Sequence, residues 1–311
     1  MSRYIEPTTD FGFKKLFGEE RSKNVLKSFL FHILELESPI VELYFIPQEQ
    51  LPPSQYERRS IYDIYCIDEK NNRFIVEMQR TKQIHFKDRA LYYATFPISQ
   101  QAPQGGWDYS LNPVYCIGIL NFQFAEDERY LRRIQLSDIE THKVFYDKLT
   151  FVFIELPKFN KPLSELRNYA DKWLYFLKNL SDLDEIPREF KDEGELNEAF
   201  EIAEITAMDA SERDQYEESL RHLRDEYSTL KTARIEGREE GLAEGMTKGR
   251  AESTLSFIRL RFGQTSESLE KKILAIQGEN LLLEVQKLVL DTSTLQELER
   301  AIDESNRKNV E

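Results

Sequence analysis

Ile61-Tyr-Asp-Ile-Tyr-Cys-Ile-Asp-Glu-Lys-Asn-Asn-Arg-Phe-Ile-Val-Glu-Met-Gln79 is the stretch whose reading decides the fold. Two runs rich in Ile, Val, Tyr and Phe flank the polar cluster Asp68-Glu69-Lys70-Asn71-Asn72-Arg73, which is the pattern of a β-hairpin. Strand side chains alternate between faces, so Asp63 shares a face with Ile61, Tyr65 and Ile67. On the second strand Glu77 and Gln79 share a face with Ile75, while Phe74, Val76 and Met78 point the other way. Two carboxylates therefore stand where a core strand normally carries apolar groups. Register decides whether they meet. If cross-strand partners sum to an even number, Asp63, Glu77 and Gln79 lie on one face; an odd sum puts Asp63 on the opposite face. A polar loop of this length allows either parity. On one face the Cβ atoms would lie roughly 4.5–8 Å apart, and half-buried carboxylates that close repel unless a proton or a cation sits between them. A hard divalent ion such as Mg²⁺, which takes oxygen ligands and keeps several waters, is the natural occupant. The plainer reading is a solvated acidic face.

Working outward toward the N-terminus, Thr8-Thr9-Asp10 precedes Phe11, Phe13, Leu16 and Phe17 and predicts a short capped helix, with Asp10 a candidate cap. Val25, Leu26, Phe29, Leu30, Ile33 and Leu34 repeat with helical period and stop before Pro39. Pro39 to Pro47 reads as a short strand, and residues 48–55, with Pro52-Pro53, as a loop. Beyond the hairpin, residues 82–100 predict a helix that sets Arg89 and Tyr93 on one face at i, i+4. Residues 101–112 form a turn-rich loop, and Pro113 to Phe122 is apolar on both faces, as a doubly covered central strand should be. A later strand runs from Leu149 to Leu156. The order is helix, strand, strand, strand, helix, strand, with one strand added.

After Leu163 no strand pattern recurs. Leu166, Tyr169, Ala170, Trp173, Leu174, Phe176 and Leu177 mark a helix expected to pack on the sheet domain, and 195–236 is polar and helical. Gly237, Gly241, Gly245 and Gly249 then recur every fourth residue among Glu, Arg, Lys and Ala. Each glycine costs a helix about 1 kcal/mol relative to Ala. The stripe is either a smooth face for a partner helix or a flexible hinge. Leu255 to Ile302 reads as a small helical domain suited to assembly. The expected organisation is 1–180 as an α/β domain, 181–250 as a helical connector, and 251–311 as a small all-α domain.

Net charge is −14, yet residues 1–180 balance 24 Lys+Arg against 24 Asp+Glu, while 181–311 carry 18 against 32. The acidity belongs to the C-terminal part, so the N-terminal domain remains compatible with a polyanionic partner. No apolar run approaches the roughly 18 residues of a membrane helix, and the N-terminus lacks the apolar core of a signal peptide. Cys66 and Cys116 fall in strand-like runs without zinc-ligand companions and read as small buried side chains. A cytoplasmic, reducing compartment is the expectation. His32, His85, His142 and His222 are scattered, His32 in an apolar helix. No glycine-rich phosphate loop follows a strand, which disfavours an NTPase or dinucleotide enzyme.

Asp63, a thirteen-residue gap and Glu77-Met78-Gln79 resemble the D…E-x-K nuclease signature, with Gln in place of the commoner Lys. Together with Asp10-Phe-Gly-Phe-Lys-Lys-Leu-Phe17, Arg89-Ala-Leu-Tyr-Tyr93 and Tyr109-Ser-Leu-Asn-Pro-Val-Tyr-Cys-Ile-Gly118, the set is similar to the recombination-promoting nuclease (Rpn) or PD-(D/E)XK nuclease family transposase group, over about residues 4–250. The resemblance implies a restriction-endonuclease-like α-β-β-β-α-β core followed by an all-α C-terminal region. It also implies a cytoplasmic Mg²⁺-dependent (or Mn²⁺-dependent) DNA endonuclease linked to recombination or mobile elements. Asp63 and Glu77, with the Met78 carbonyl, would hold the metal. Asp10 and Lys14 would belong to the site's neighbourhood, so Asp10 is both cap and site candidate. Arg89 would point at the scissile phosphate or at Glu77, its alternative being to cover the sheet with its aliphatic stem. Gln79 can orient a water or phosphate oxygen but supplies no positive charge; the metal, Lys14 or Lys82 would have to compensate. The rival expectation is a catalytically weak or inactive nucleic-acid-binding assembly protein that keeps the fold. In both, the C-terminal helices would join copies of the chain.

Overall fold

Ile64 pairs with Val76 and Tyr65 with Ile75, so the hairpin takes the even register and continuing it sets Asp63 opposite Glu77. The computed structural model describes residues 2–46, 62–102, 105 and 108–308. Ile61, the loop expected at 48–55 and part of the 101–112 loop lie outside the described residues.

Within this frame α1 (Asp10–Phe17) and α2 (Lys23–Leu34) lead into β1 (Leu43–Phe45), β2 (Ile64–Asp68) and β3 (Arg73–Gln79). Helix α3 (Phe86–Ser99) connects β3 to β4 (Val114–Leu120), and β5 (Leu131–Ser137) and β6 (Val144–Glu155) follow. The sheet order is β1-β2-β3-β4-β6-β5. β3, β4 and β6 are mutually parallel at the centre, while β1, β2 and β5 join antiparallel at the edges. A β-α-β crossover carrying α3 links β3 to β4, as parallel neighbours require. Apolar side chains cover both faces. Ile64, Cys66, Phe74, Val76, Ile117 and Ile154 meet α1, α2, α4 (Tyr169–Asn179) and α5 (Gly194–Ala203) on one side. Tyr65, Ile75, Cys116 and Leu149 meet Ala94 of α3 on the other.

Three local readings change. The cap of α1 is Thr9, whose hydroxyl accepts the Gly12 N–H at 3.0 Å, and not Asp10, which is the first helical residue. The strand expected over 39–47 shrinks to three residues. β5 and the first half of β6 escape the apolar pattern because they form an exposed edge, Arg132 and Arg133 interrupting its apolar side chains. Both cysteines are buried and free, as their strand positions predict.

The chain divides into two compact units, Met1–Leu223 and Arg224–Glu311. In the first, residues 181–223 add α5 and the start of α6 (Ala210–Phe262), and Phe190, Phe200, Met208 and Tyr216 join the core of the sheet. Arg3 and Ile5 bond the backbone at 203–205, which ties the start of the chain to the segment that follows α5. In the second, the end of α6 packs with α7 (Glu267–Leu274), α8 (Glu279–Asp291) and α9 (Leu295–Lys308) around Leu255, Ile258, Ile273, Leu282, Val289 and Leu298. Gly263, at φ +75°, ends α6 in the left-handed conformation that glycine adopts at a helix C-terminus. The four-residue glycine repeat lies wholly within α6, and a Cβ at any of its glycines would meet no atom within 4 Å. No described helix is long and apolar enough to cross a membrane.

Candidate functional site

The C-terminal ends of the parallel strands β3, β4 and β6 are level at Gln79, Leu120 and Glu155. In open α/β sheets this is the edge where ligands bind. Asp63 precedes β2 by one residue and Glu77 lies near the end of β3, so both carboxyls reach this edge. The Met78 N–H points to the β2 side, beyond the last ladder pair, and Asp63 Oδ2 accepts it at 2.7 Å. In the reverse direction the Asp63 backbone N–H favours the charged form of the Glu77 carboxylate. Asp63 thus braces the end of β3. The Met78 carbonyl leaves its strand toward the same side as its N–H, the side on which Asp63 stands.

Both acids are half-buried. Burial pushes the Asp63 carboxyl up, and the charge of Asp10 adds to this. Glu77 is pushed up to about 8, first by burial and then by the negative charge of Asp63, against the opposing pull of Arg89 and Gln79. Two carboxyls that resist ionising side by side mark a site short of positive charge.

Gln79 is held at both ends. Its Nε2 donates to Glu77 Oε2 at 2.8 Å, and its Oε1 accepts from Arg89 Nη2. Arg89 Nη1 donates to Gln83 Oε1 on the β3–α3 loop, and the guanidinium carbon lies 5.8 Å from the centre of the Tyr93 ring. The order Glu77–Gln79–Arg89–Gln83 therefore runs from strand to helix to loop as one hydrogen-bonded chain. Beneath α3 lies a small void of about 30 Å³, partly open to solvent and lined by Glu77, Gln79, Arg89 and Gly118 among others. Gly118 faces Glu77 in the parallel register and keeps that void open; a Cβ there would come 3.0 Å from the Phe153 ring.

The structure joins Asp63, Glu77, Met78, Gln79 and Arg89 by hydrogen bonds. Arg89 reaches Glu77 through Gln79 and not directly. Asp10 and Lys14 pair with each other at 3.0 Å on exposed helix surface, and both charges are felt at Asp63. Lys82 is exposed on the loop. Gln83 went unread: nothing in spacing or composition marks a loop glutamine as the partner of an arginine six residues on. His32 stacks on Tyr169 with ring centres 4.2 Å apart, and burial lowers its pKa, as a structural histidine.

Among the described residues no group of three or more His, Cys, Asp and Glu side chains is placed to hold a metal ion. The donors at the strand edge are two carboxylates and a main-chain carbonyl, all hard oxygens. Such a set fits a divalent cation that keeps most of its waters, as Mg²⁺ does. It does not fit a zinc centre, which draws on Cys and His.

No curated protein and no solved structure matches this chain. Residues 7–233 match the family model described as PD-(D/E)XK nuclease family transposase. That span runs from the first helix through the whole sheet and the paired carboxylates, and the chain belongs to this family of nuclease-like proteins.

Proposed function

We propose that the chain is a Mg²⁺-dependent endodeoxyribonuclease that hydrolyses phosphodiester bonds in DNA, in the service of recombination or mobile elements. Nucleases of this superfamily typically use divalent metal ions, and the even register that sets Asp63 beside Glu77, with Asp63 holding the Met78 N–H, is the observation that carries the reading. Asp63 and Glu77, with the Met78 carbonyl, are the residues that would hold Mg²⁺ or Mn²⁺. When bound, the cation would acidify a water and neutralise charge on the phosphate.

The protein's own groups do the rest. Glu77 would hold the cation as the carboxylate, without its proton. Gln79 fixes the Glu77 carboxylate and passes the orienting force of Arg89 to it. Arg89 supplies the positive charge that Gln79 lacks, a fixed fork suited to phosphate. Asp10 and Lys14 set the field at Asp63. DNA is the substrate and the cytoplasm the compartment on this reading. Residues 230–311 would join copies of the chain through the glycine-bearing helix and the small helical domain; light scattering on the full chain and on a truncation after about residue 225 tests that, and a full-length monomer overturns it.

Plasmid cleavage with Mg²⁺, Mn²⁺ or EDTA, run beside Asp63→Ala and Glu77→Ala, tests the activity. Metal-dependent nicking lost in both variants is expected. DNA bound but uncleaved with every metal would leave a nucleic-acid-binding protein on a nuclease fold.

A further inference from the structure

Resting on that nuclease reading, we propose that the β3–α3 loop is a DNA-deforming element, with Ile84 as an apolar wedge that enters a groove of duplex DNA and opens the base stack beside the cleaved phosphate. Ile84 is 96 % exposed, more than any other large apolar side chain described. An isolated exposed aliphatic needs no explanation; the setting of this one does. Gln83 on one side is tied to Arg89, and through it to Gln79 and Glu77. Phe86 on the other is buried, with its ring centre 5.1 Å from that of Phe153. The Phe86 N–H also bonds the Gln83 carbonyl at 3.2 Å and closes the turn beneath Ile84. The side chain is therefore presented by a fixed turn at the rim of the site.

Charge identifies the occupant. Residues 80–89 contain Arg80, Lys82, Lys87 and Arg89 against the single acid Asp88, in a chain whose net charge is −14. Asp88 already bonds His85 at 3.2 Å. An aliphatic tip flanked by cations suits a polyanion that also offers apolar surface, and in duplex DNA that surface is the groove floor and the faces of stacked bases. Lys82 and Lys87 would take the flanking phosphates while Ile84 unstacks a step, as apolar wedges do in proteins that kink DNA. Unstacking costs least at pyrimidine–purine steps. The loop thus confers a preference for TA and CA steps without reading a base edge.

The test uses the full chain and duplexes carrying 2-aminopurine at one step, with Ile84→Ala and Ile84→Leu beside the wild type. Wild type and Ile84→Leu are expected to raise 2-aminopurine fluorescence several-fold and to favour TA over AT steps. Ile84→Ala should lose both effects and bind duplex about tenfold more weakly. Because Ile84 is exposed, its melting temperature should match that of the wild type. Unchanged fluorescence, affinity and step preference in Ile84→Ala, with duplex cleavage intact, would overturn the wedge and leave the nuclease standing. A wild type that neither binds nor cuts DNA would overturn both.

Discussion

At the scale of single residues, Glu77 holds the balance between stability and function. Its folded pKa is pushed up to about 8, against an ordinary value of about 4.3. The folded chain thus keeps a proton that the unfolded chain releases. Stability is therefore greatest below the unfolded value and is lost as pH rises toward the folded one. In EDTA the melting temperature should fall between about pH 5 and 8, and Glu77→Gln should remove most of that fall and raise the melting temperature at pH 8 by a few degrees. Mg²⁺ should stabilise the wild type but not the variant, by mass action on the folded state; equal Mg²⁺ shifts in both would dissociate Glu77 from the metal. Arg89 makes a second case. Arg89→Lys keeps the charge but loses the fork that holds Gln79 and Gln83 together. Cleavage should drop about ten- to hundredfold with little change in melting temperature, and wild-type turnover in this variant would reduce Arg89 to a sheet-covering stem. Alternation put Glu77 and Gln79 on one strand face, but only the resemblance to the nuclease signature marked them, with Asp63, as a site. Their meeting was not legible, because parity is set by a loop that tolerates either register.

At the scale of elements, the start of α6 is fastened to α1 by a charge cluster. Lys15 is almost fully buried and its Nζ lies 2.6 Å from Glu212 Oε1, while Arg21 reaches the same oxygen from outside. Although burial pushes Glu212 up, these two cations hold it down to about 2. A depressed carboxylate contributes stability above its unfolded value and loses it as pH falls through the folded one. Glu212→Gln leaves Lys15 buried without its counter-charge. It should cost about 2–3 kcal/mol near pH 7, less than a fully buried pair because Arg21 is half exposed and screened. The gap between variant and wild type should close from about pH 4.5 to 2; urea unfolding at three pH values would show this, and a constant gap would assign the loss to packing. Neither partner is visible in sequence, since the pair spans nearly the whole first unit. What the sequence showed best were doubly covered strands such as β4, where every other consideration yields to burial. It missed β5, whose edge position leaves it free to carry arginines. It placed the α1 cap one residue late, because Thr9 and Asp10 are both good capping residues and only backbone geometry separates them.

For the whole molecule the question is whether two cores melt as two. The unit Met1–Leu223 closes its own sheet-and-helix core, and Arg224–Glu311 has a separate one. The match to the nuclease family ends at residue 233, close to that division, so what the family shares is nearly the first unit. Helix α6 runs through both, and its four-residue glycine repeat falls between the segments that contribute to the two cores. Glycines weaken a helix interior by about 1 kcal/mol each relative to Ala, so this stretch transmits little cooperativity. Calorimetry of the full chain should accordingly resolve two transitions. A truncation after about residue 230 should retain one of them, together with metal-dependent cleavage. Mg²⁺ should raise only that retained transition, and Asp63→Ala should abolish the rise while leaving the other transition in place. A single transition that moves as a whole with Mg²⁺ would mean that the helical unit and the nuclease-like unit unfold together, and that the helix through the glycines is stiffer than its sequence allows.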